Sequence, residues 1–244
     1  MRYFVEFSYN GSKYHGWQKQ PNANSVQQEL IKCLSILLQT ELDLVGAGRT
    51  DAGVHAVQMF AHFDYKFSFD MQDLVFKMNS FLPNDISVSK IFEVKEDSHA
   101  RFSAISRTYK YYISEKKNIF NPNLHLVYKH LDMGKMNDSC TYLIGEKDFT
   151  SFSKVNTDTF TNNCNITKAI WKKEDDTYVF TITANRFLRN MVRSIVGTLI
   201  DVGCGKINAS EVKNILEKKS RCEAGVSVPA KALFLTQINY PENI

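Results

Sequence analysis

The chain has 244 residues, 43% of them hydrophobic and 23% charged, with a formal net charge of +4. That length buries a large core, as one extended domain or two ordinary halves, and the composition excludes a disordered chain. The mild basic excess is compatible with nucleic acid and falls far short of a histone-like tail.

The five cysteines, at positions 33, 140, 164, 204 and 222, include no CxxC pair. Zinc and redox motifs of that kind are excluded, no disulfide framework is suggested, and a reducing compartment follows. The opening MRYFVEFSYN alternates as a strand and lacks the apolar run of a signal peptide or membrane span. The expectation is a cytoplasmic protein with no membrane association.

Tyr3 to Tyr9 has the period of a strand with one buried face, and Asn10-Gly11 turns the chain. The irregular segment NGSKYHGWQKQP at 10 to 21 interleaves aromatic rings with positive charge, as a nucleic-acid surface does. Here Lys13 and Lys19 are the candidate nucleic-acid contacts, and Trp17 is expected to be a buried anchor. Ser25 precedes Val26, Leu30, Cys33, Leu34 and Leu37 at helical spacing, with Gln28 completing a capping box, so a helix runs to about Thr40. A strand over His55 to Phe63, a helix over Met71 to Phe81, a turn at 82 to 85 and a strand over Ile86 to Val94 complete the first half.

A second half starts at residue 107. If Arg107 to Ser114 is a strand, Tyr109 and Tyr111 share one face, and Lys110 and Tyr112 the other. Met133 to Ile144 reads as a helix with Met136, Cys140 and Leu143 buried, and Ile166 to Ala184 as two short strands around a solvated Glu174-Asp175-Asp176 tip. Ser210 caps a helix to about Lys219, and Ala232 to Tyr240 alternates as a final strand. The fold class is α+β: two similar mixed halves, 1–106 and 107–244, with helices packed on a largely antiparallel central sheet.

Two stretches hold the candidate chemistry. GAGRTDAGVHA at 46 to 56 surrounds Arg49, Asp51 and His55 with glycine and alanine, the composition of a loop that lets something approach closely. Asp51 is the candidate reactive group, although an aspartate in a Gly-rich turn also serves its own backbone. The spacing fits neither a dinucleotide fingerprint, which needs glycine at position 51, nor a P-loop. Residues 186 to 202, RFLRNMVRSIVGTLIDV, wind on a helical wheel into an apolar face and a basic face. Arg186, Arg189 and Arg193 line the basic face, suited to phosphate or to a buried carboxylate, and Gly197 on that face hints at a close neighbour.

Together GRTDAGVHA and YNGSKYHGWQKQ resemble the TruA family of tRNA pseudouridine synthases. NSFLPNDI, HARFSAISRTYKYYI, GEKDFTSF, FLRNMVRSIVGTLIDVG and VPAKALFLTQINYP extend the resemblance through both halves. Ala232 departs from it, standing where glycine is expected. The resemblance implies the pseudouridine synthase fold and an enzyme converting uridine to pseudouridine at positions 38, 39 and 40 of the tRNA anticodon stem-loop. It further implies a homodimer that holds tRNA, and neither cofactor nor metal. Residue by residue, it makes Asp51 the nucleophile, Tyr109 the ring against the target base, Arg193 the partner of the Asp51 carboxylate, and Arg49 the residue replacing the flipped base. Two rivals are a glycoside hydrolase, which needs a second carboxylate such as Asp64 or Asp85, and a non-catalytic RNA-binding protein.

Overall fold

The computed structural model describes residues 1–155 and 159–244. In chain order the elements are β1 (Arg2–Tyr9), α1 (Val26–Leu37), β2 (Val45–Gly46), β3 (His55–Asp64), α2 (Met71–Phe81), β4 (Ile86–Val94), β5 (Ser106–Ser114) and β6 (His125–Leu126). There follow α3 (Met133–Cys140), β7 (Gly145–Asp148), β8 (Asn163–Glu174), β9 (Thr177–Ala184), α4 (Met191–Gly203), α5 (Glu211–Lys218) and β10 (Leu233–Asn239). This is the α+β class expected, with largely antiparallel pairing. No helix among the described residues is long and apolar enough to cross a membrane.

Two compact units form, Met1–Ile105 with Phe234–Ile244, and Ser106–Leu233. A cut at 106/107 divides the chain once, whereas the last residues count with the first unit. The reason is pairing: Phe234 and Leu235 of β10 lie parallel to His55 and Ala56 of β3.

In the first unit the strands run β4-β1-β3-β10, with β2 beside β3. Tyr3, Val5, Phe7 and Tyr9 of β1 are buried, as the alternation requires, but so is Phe4 on the opposite face. Phe4 is covered by Phe60, Phe92 and Tyr240, with ring centroids 5.3 to 6.5 Å away, so β1 is buried on both faces at that point. α1 begins where Ser25 accepts the Gln28 amide at 3.3 Å, and it buries Val26, Leu30, Cys33 and Leu34. Asp70 caps α2 by accepting the amides of Gln72 and Asp73; α2 ends where Pro83 follows the extended Leu82.

In the second unit the order is β5-β9-β8-β7, with β6 parallel to β5. β8 and β9 form a hairpin, longer than two short strands, whose exposed tip turns at Asp175 with φ 51°. α3 stops at Cys140, a 3-10 turn carries the chain through Leu143, and Met136, Cys140 and Leu143 are buried as expected. Ser210 precedes α5, but its side chain makes no capping bond.

The basic stripe is corrected. Asn190 adopts φ 67°, a left-handed conformation that asparagine tolerates, and α4 starts only at Met191. Arg186 and Arg189 precede the helix, so of the three arginines only Arg193 belongs to it. α4 is buried on nearly all sides, and its last residue packs on α3, a Cβ on Gly203 falling 2.6 Å from the Met136 sulfur.

Candidate active site

Asp51 lies in the first unit, in the loop joining β2 to β3, and that loop is held by the segment following β1. Gly11 donates its amide to His55 Nδ1 at 3.1 Å, the Trp17 amide donates to the Thr50 carbonyl at 3.3 Å, and the Gly53 amide donates to the Tyr14 carbonyl at 3.3 Å. Hydroxyls of Tyr9 and Thr50 share a hydrogen bond of 2.9 Å. The two sequence motifs 9–20 and 48–56 are therefore one structural object.

The approach is close enough to demand glycine. A Cβ on Gly11 would lie 2.0 Å from the Val54 carbonyl oxygen, and one on Gly46 2.5 Å from the Trp17 ring. Trp17 is buried and stacked on Phe7 at 5.3 Å, so the anchor expected from sequence is present. His55, also buried, stacks on Phe234 at 4.4 Å. The sequence signal for His55 as a structural residue is its position, at the first residue of the strand that leaves the loop.

On this frame Asp51 is half-buried, its carbonyl accepting the Val54 amide at 3.1 Å. Arg49 is exposed, and no hydrogen bond or ion pair engages its side chain among the described residues. Lys19 is exposed in the same way. Lys13, by contrast, lies 3.6 Å from Asp85, which also accepts the Tyr14 hydroxyl at 2.5 Å. Burial, then the bond to Asp85, push the Tyr14 phenol well above the usual range. Asp64 is held by Arg2 through two hydrogen bonds of 2.8 Å. Both carboxylates that a glycoside hydrolase could recruit thus serve the fold.

Tyr109 and Arg193 belong to the second unit. Tyr109 pairs with Ile182 across β5 and β9, and its half-buried ring meets Phe187 edge-on at 5.1 Å. Two residues on, Tyr111 is fully buried and donates its hydroxyl to the Pro229 carbonyl at 3.0 Å. Burial pushes the Tyr111 phenol up, against the opposing pull of the Arg193 charge. Arg193 projects from the first turn of α4 and donates Nε to the Val228 carbonyl at 2.7 Å. The close neighbour expected at Gly197 exists and is the chain itself: a Cβ there would fall 1.9 Å from the Val226 carbonyl oxygen.

Among the described residues no group of three or more His, Cys, Asp and Glu side chains gathers as a metal site. Arg49 and Asp51 share one loop, and Tyr109 and Arg193 lie in the other unit.

A family model described as tRNA pseudouridine synthase matches residues 140–241. Proteins named tRNA pseudouridine synthase A resemble the chain along its whole length. One from Parabacteroides distasonis is 53% identical, the match covering 100% of this chain and 97% of the relative. One from Bacteroides thetaiotaomicron is 51% identical over 100% and 92%, and one from Vibrio campbellii 38% over 99% and 93%.

Proposed function

The chain belongs to the tRNA pseudouridine synthase A family, and from that premise we propose that it isomerises uridine at positions 38, 39 and 40 of the tRNA anticodon stem-loop, with Asp51 as covalent nucleophile. As a member of that family it is an enzyme, an isomerase. The proposed assembly is a cytoplasmic homodimer holding tRNA.

The observation that carries the role of Asp51 is the way its loop is built. Glycines at 11 and 16 let two segments lie almost in backbone contact, Gly46 admits the Trp17 ring, and the frame holds a half-buried carboxylate on the same loop as the exposed Arg49. A solvated turn needs no such frame, because its aspartate would satisfy only its own backbone.

The chemistry asks for little else. The N1–C1′ bond breaks, the uracil rotates, C5 bonds to C1′ and the C5 proton leaves. Nothing is oxidised or reduced, and no energy donor is consumed. The Asp51 carboxylate forms a covalent adduct, with the sugar or with the ring, and departs when the new glycosidic bond is complete. Proposed partners are Arg193 for orienting that carboxylate and Tyr109 for stacking on the base. A stem uridine must first leave the helix, at a cost of a few kcal/mol, and the planar Arg49 is proposed to fill the gap.

The test is to incubate the protein with unmodified tRNA transcripts and map pseudouridine by chemical modification and primer extension. The expected product carries pseudouridine at one or more of positions 38 to 40. Modification confined to another region of the tRNA would overturn the assignment of position, and no modification would overturn the activity.

A further inference from the structure

After α5 the chain returns across α4 as an extended strap, residues 225–229, in which nearly every residue is fixed to the second unit. The Gly225 amide donates to Thr198 Oγ1 at 2.8 Å, and a Cβ on Gly225 would fall 2.7 Å from the Thr198 nitrogen. With Gly197 beneath Val226, two glycines remove the side chains that would separate strap from helix. Ser227 Oγ accepts Asn190 Nδ2 at 2.6 Å and Arg221 Nη2 at 2.9 Å. Val228 then makes two bonds to one residue: its amide donates to the Arg193 carbonyl at 3.2 Å, and its carbonyl accepts Arg193 Nε at 2.7 Å. The Pro229 carbonyl accepts the hydroxyl of the buried Tyr111 at 3.0 Å.

The strap helps bury α4 at Gly197 and Thr198, while a helix interior satisfies its own backbone. What the strap adds is orientation. A free arginine side chain carries much rotamer entropy; with Nε tied to a carbonyl that is itself fixed on both sides, the guanidinium plane is set. Gly197 carries the same requirement, since a mid-helix glycine is unfavourable relative to alanine and here it admits the Val226 carbonyl.

We infer that the strap 225–229 is the positioning device for Arg193, and that Tyr111, Gly197 and Ser227 are positioning residues for the isomerisation although none is proposed to touch the substrate. The inference rests on the role proposed for Arg193. Tyr111 lies on the strand that also carries Tyr109, so the bond from Tyr111 to Pro229 ties the strand bearing the stacking ring to the strap that sets the guanidinium.

The experiment is a double-mutant comparison of single-turnover rates at saturating tRNA, alongside tRNA affinity, for Tyr111→Phe, Ser227→Ala and Gly197→Ala in wild-type and Arg193→Ala backgrounds. In the wild-type background each variant is expected to lower the rate roughly tenfold, with affinity changed by less than threefold. In the Arg193→Ala background the same substitutions are expected to lower the rate no further, because the group they position is gone. A general packing defect would lower it equally in both backgrounds, and that result overturns the inference. So does an unchanged rate for Tyr111→Phe and Ser227→Ala in folded protein, which stays informative should Gly197→Ala fail to fold. If Arg193→Ala alone keeps the wild-type rate, the role proposed for Arg193 fails, a different result from either of these.

Discussion

Gly16 sits so close to Thr50 that a Cβ on it would lie 2.4 Å from the Thr50 carbonyl oxygen, and its φ of +94° is a conformation other residues rarely adopt. The residue immediately before Asp51 is thus located by a glycine 34 positions away in sequence.

Gly16→Ala is expected to destabilise the protein by about 2 kcal/mol or more, because strain and a backbone clash act together. Gly48→Ala is the control: its Cβ would meet nothing within 4 Å, and the melting temperature should not move. Denaturation of the two variants checks this, and equal stabilities would show that the loop frame is not held as described.

A salt dependence follows from the exposed cations Lys19 and Arg49. tRNA affinity should fall steeply with salt, since binding releases counterions from phosphates. Lys19→Ala should weaken binding and reduce the slope of log affinity against log salt by roughly one. Lys13 is already 3.6 Å from Asp85, and its substitution should change the slope less. Filter binding over a range of salt distinguishes the two.

Helical periodicity failed at residues 186–190 for a physical reason. Leu188 is buried and in phase with Met191, Val192 and Ile195, yet a single left-handed Asn190 ends the regular repeat between them. Burial alone cannot reveal such a residue. The glycines were legible as sites of close approach, but their partners were not: Gly197 meets residue 226, and Gly46 meets Trp17. Sequence position gives no measure of contacts this distant. Local elements fared better, since α2 and β4 begin and end at the expected residues, where Asp70, Pro83 and alternating apolar residues act on their immediate neighbours. The return of Phe234–Ile244 to the first unit depends on pairing with β3, which no local pattern encodes.

Arg186 and Arg193 should part company now that only one is on α4. Arg193→Ala should lower the single-turnover rate by at least a hundredfold with affinity nearly kept, and Arg193→Lys should recover only part, a point charge replacing a planar fork. Arg186→Ala should act on affinity and its salt dependence. Rates at saturating tRNA for the three variants decide between these roles.

Stability should fall with acid in the first unit. The buried His62 accepts the Ala100 amide at 3.1 Å, and burial, aided by Arg2 and His99, lowers its pKa from 6.5 to about 4. The unfolded chain therefore binds a proton that the folded chain refuses. The stability from His62 is complete above about pH 6.5 and is lost progressively as pH falls towards about 4, by on the order of 2 kcal/mol. His62→Gln, whose amide oxygen still accepts a hydrogen bond, should show a shallower loss between pH 6.5 and 4.5. Urea denaturation across that range tests it, and parallel curves for the two proteins would contradict it.

The role of Asp51 is tested most directly by tritium release. Unmodified tRNA carrying tritium at C5 of uridine must lose it to water when C5 bonds to C1′. The wild-type protein should release that tritium, while Asp51→Asn should release none above background and still bind tRNA within a few fold of wild type. Single-turnover release by Asp51→Asn at near the wild-type rate would contradict the assignment of the nucleophile.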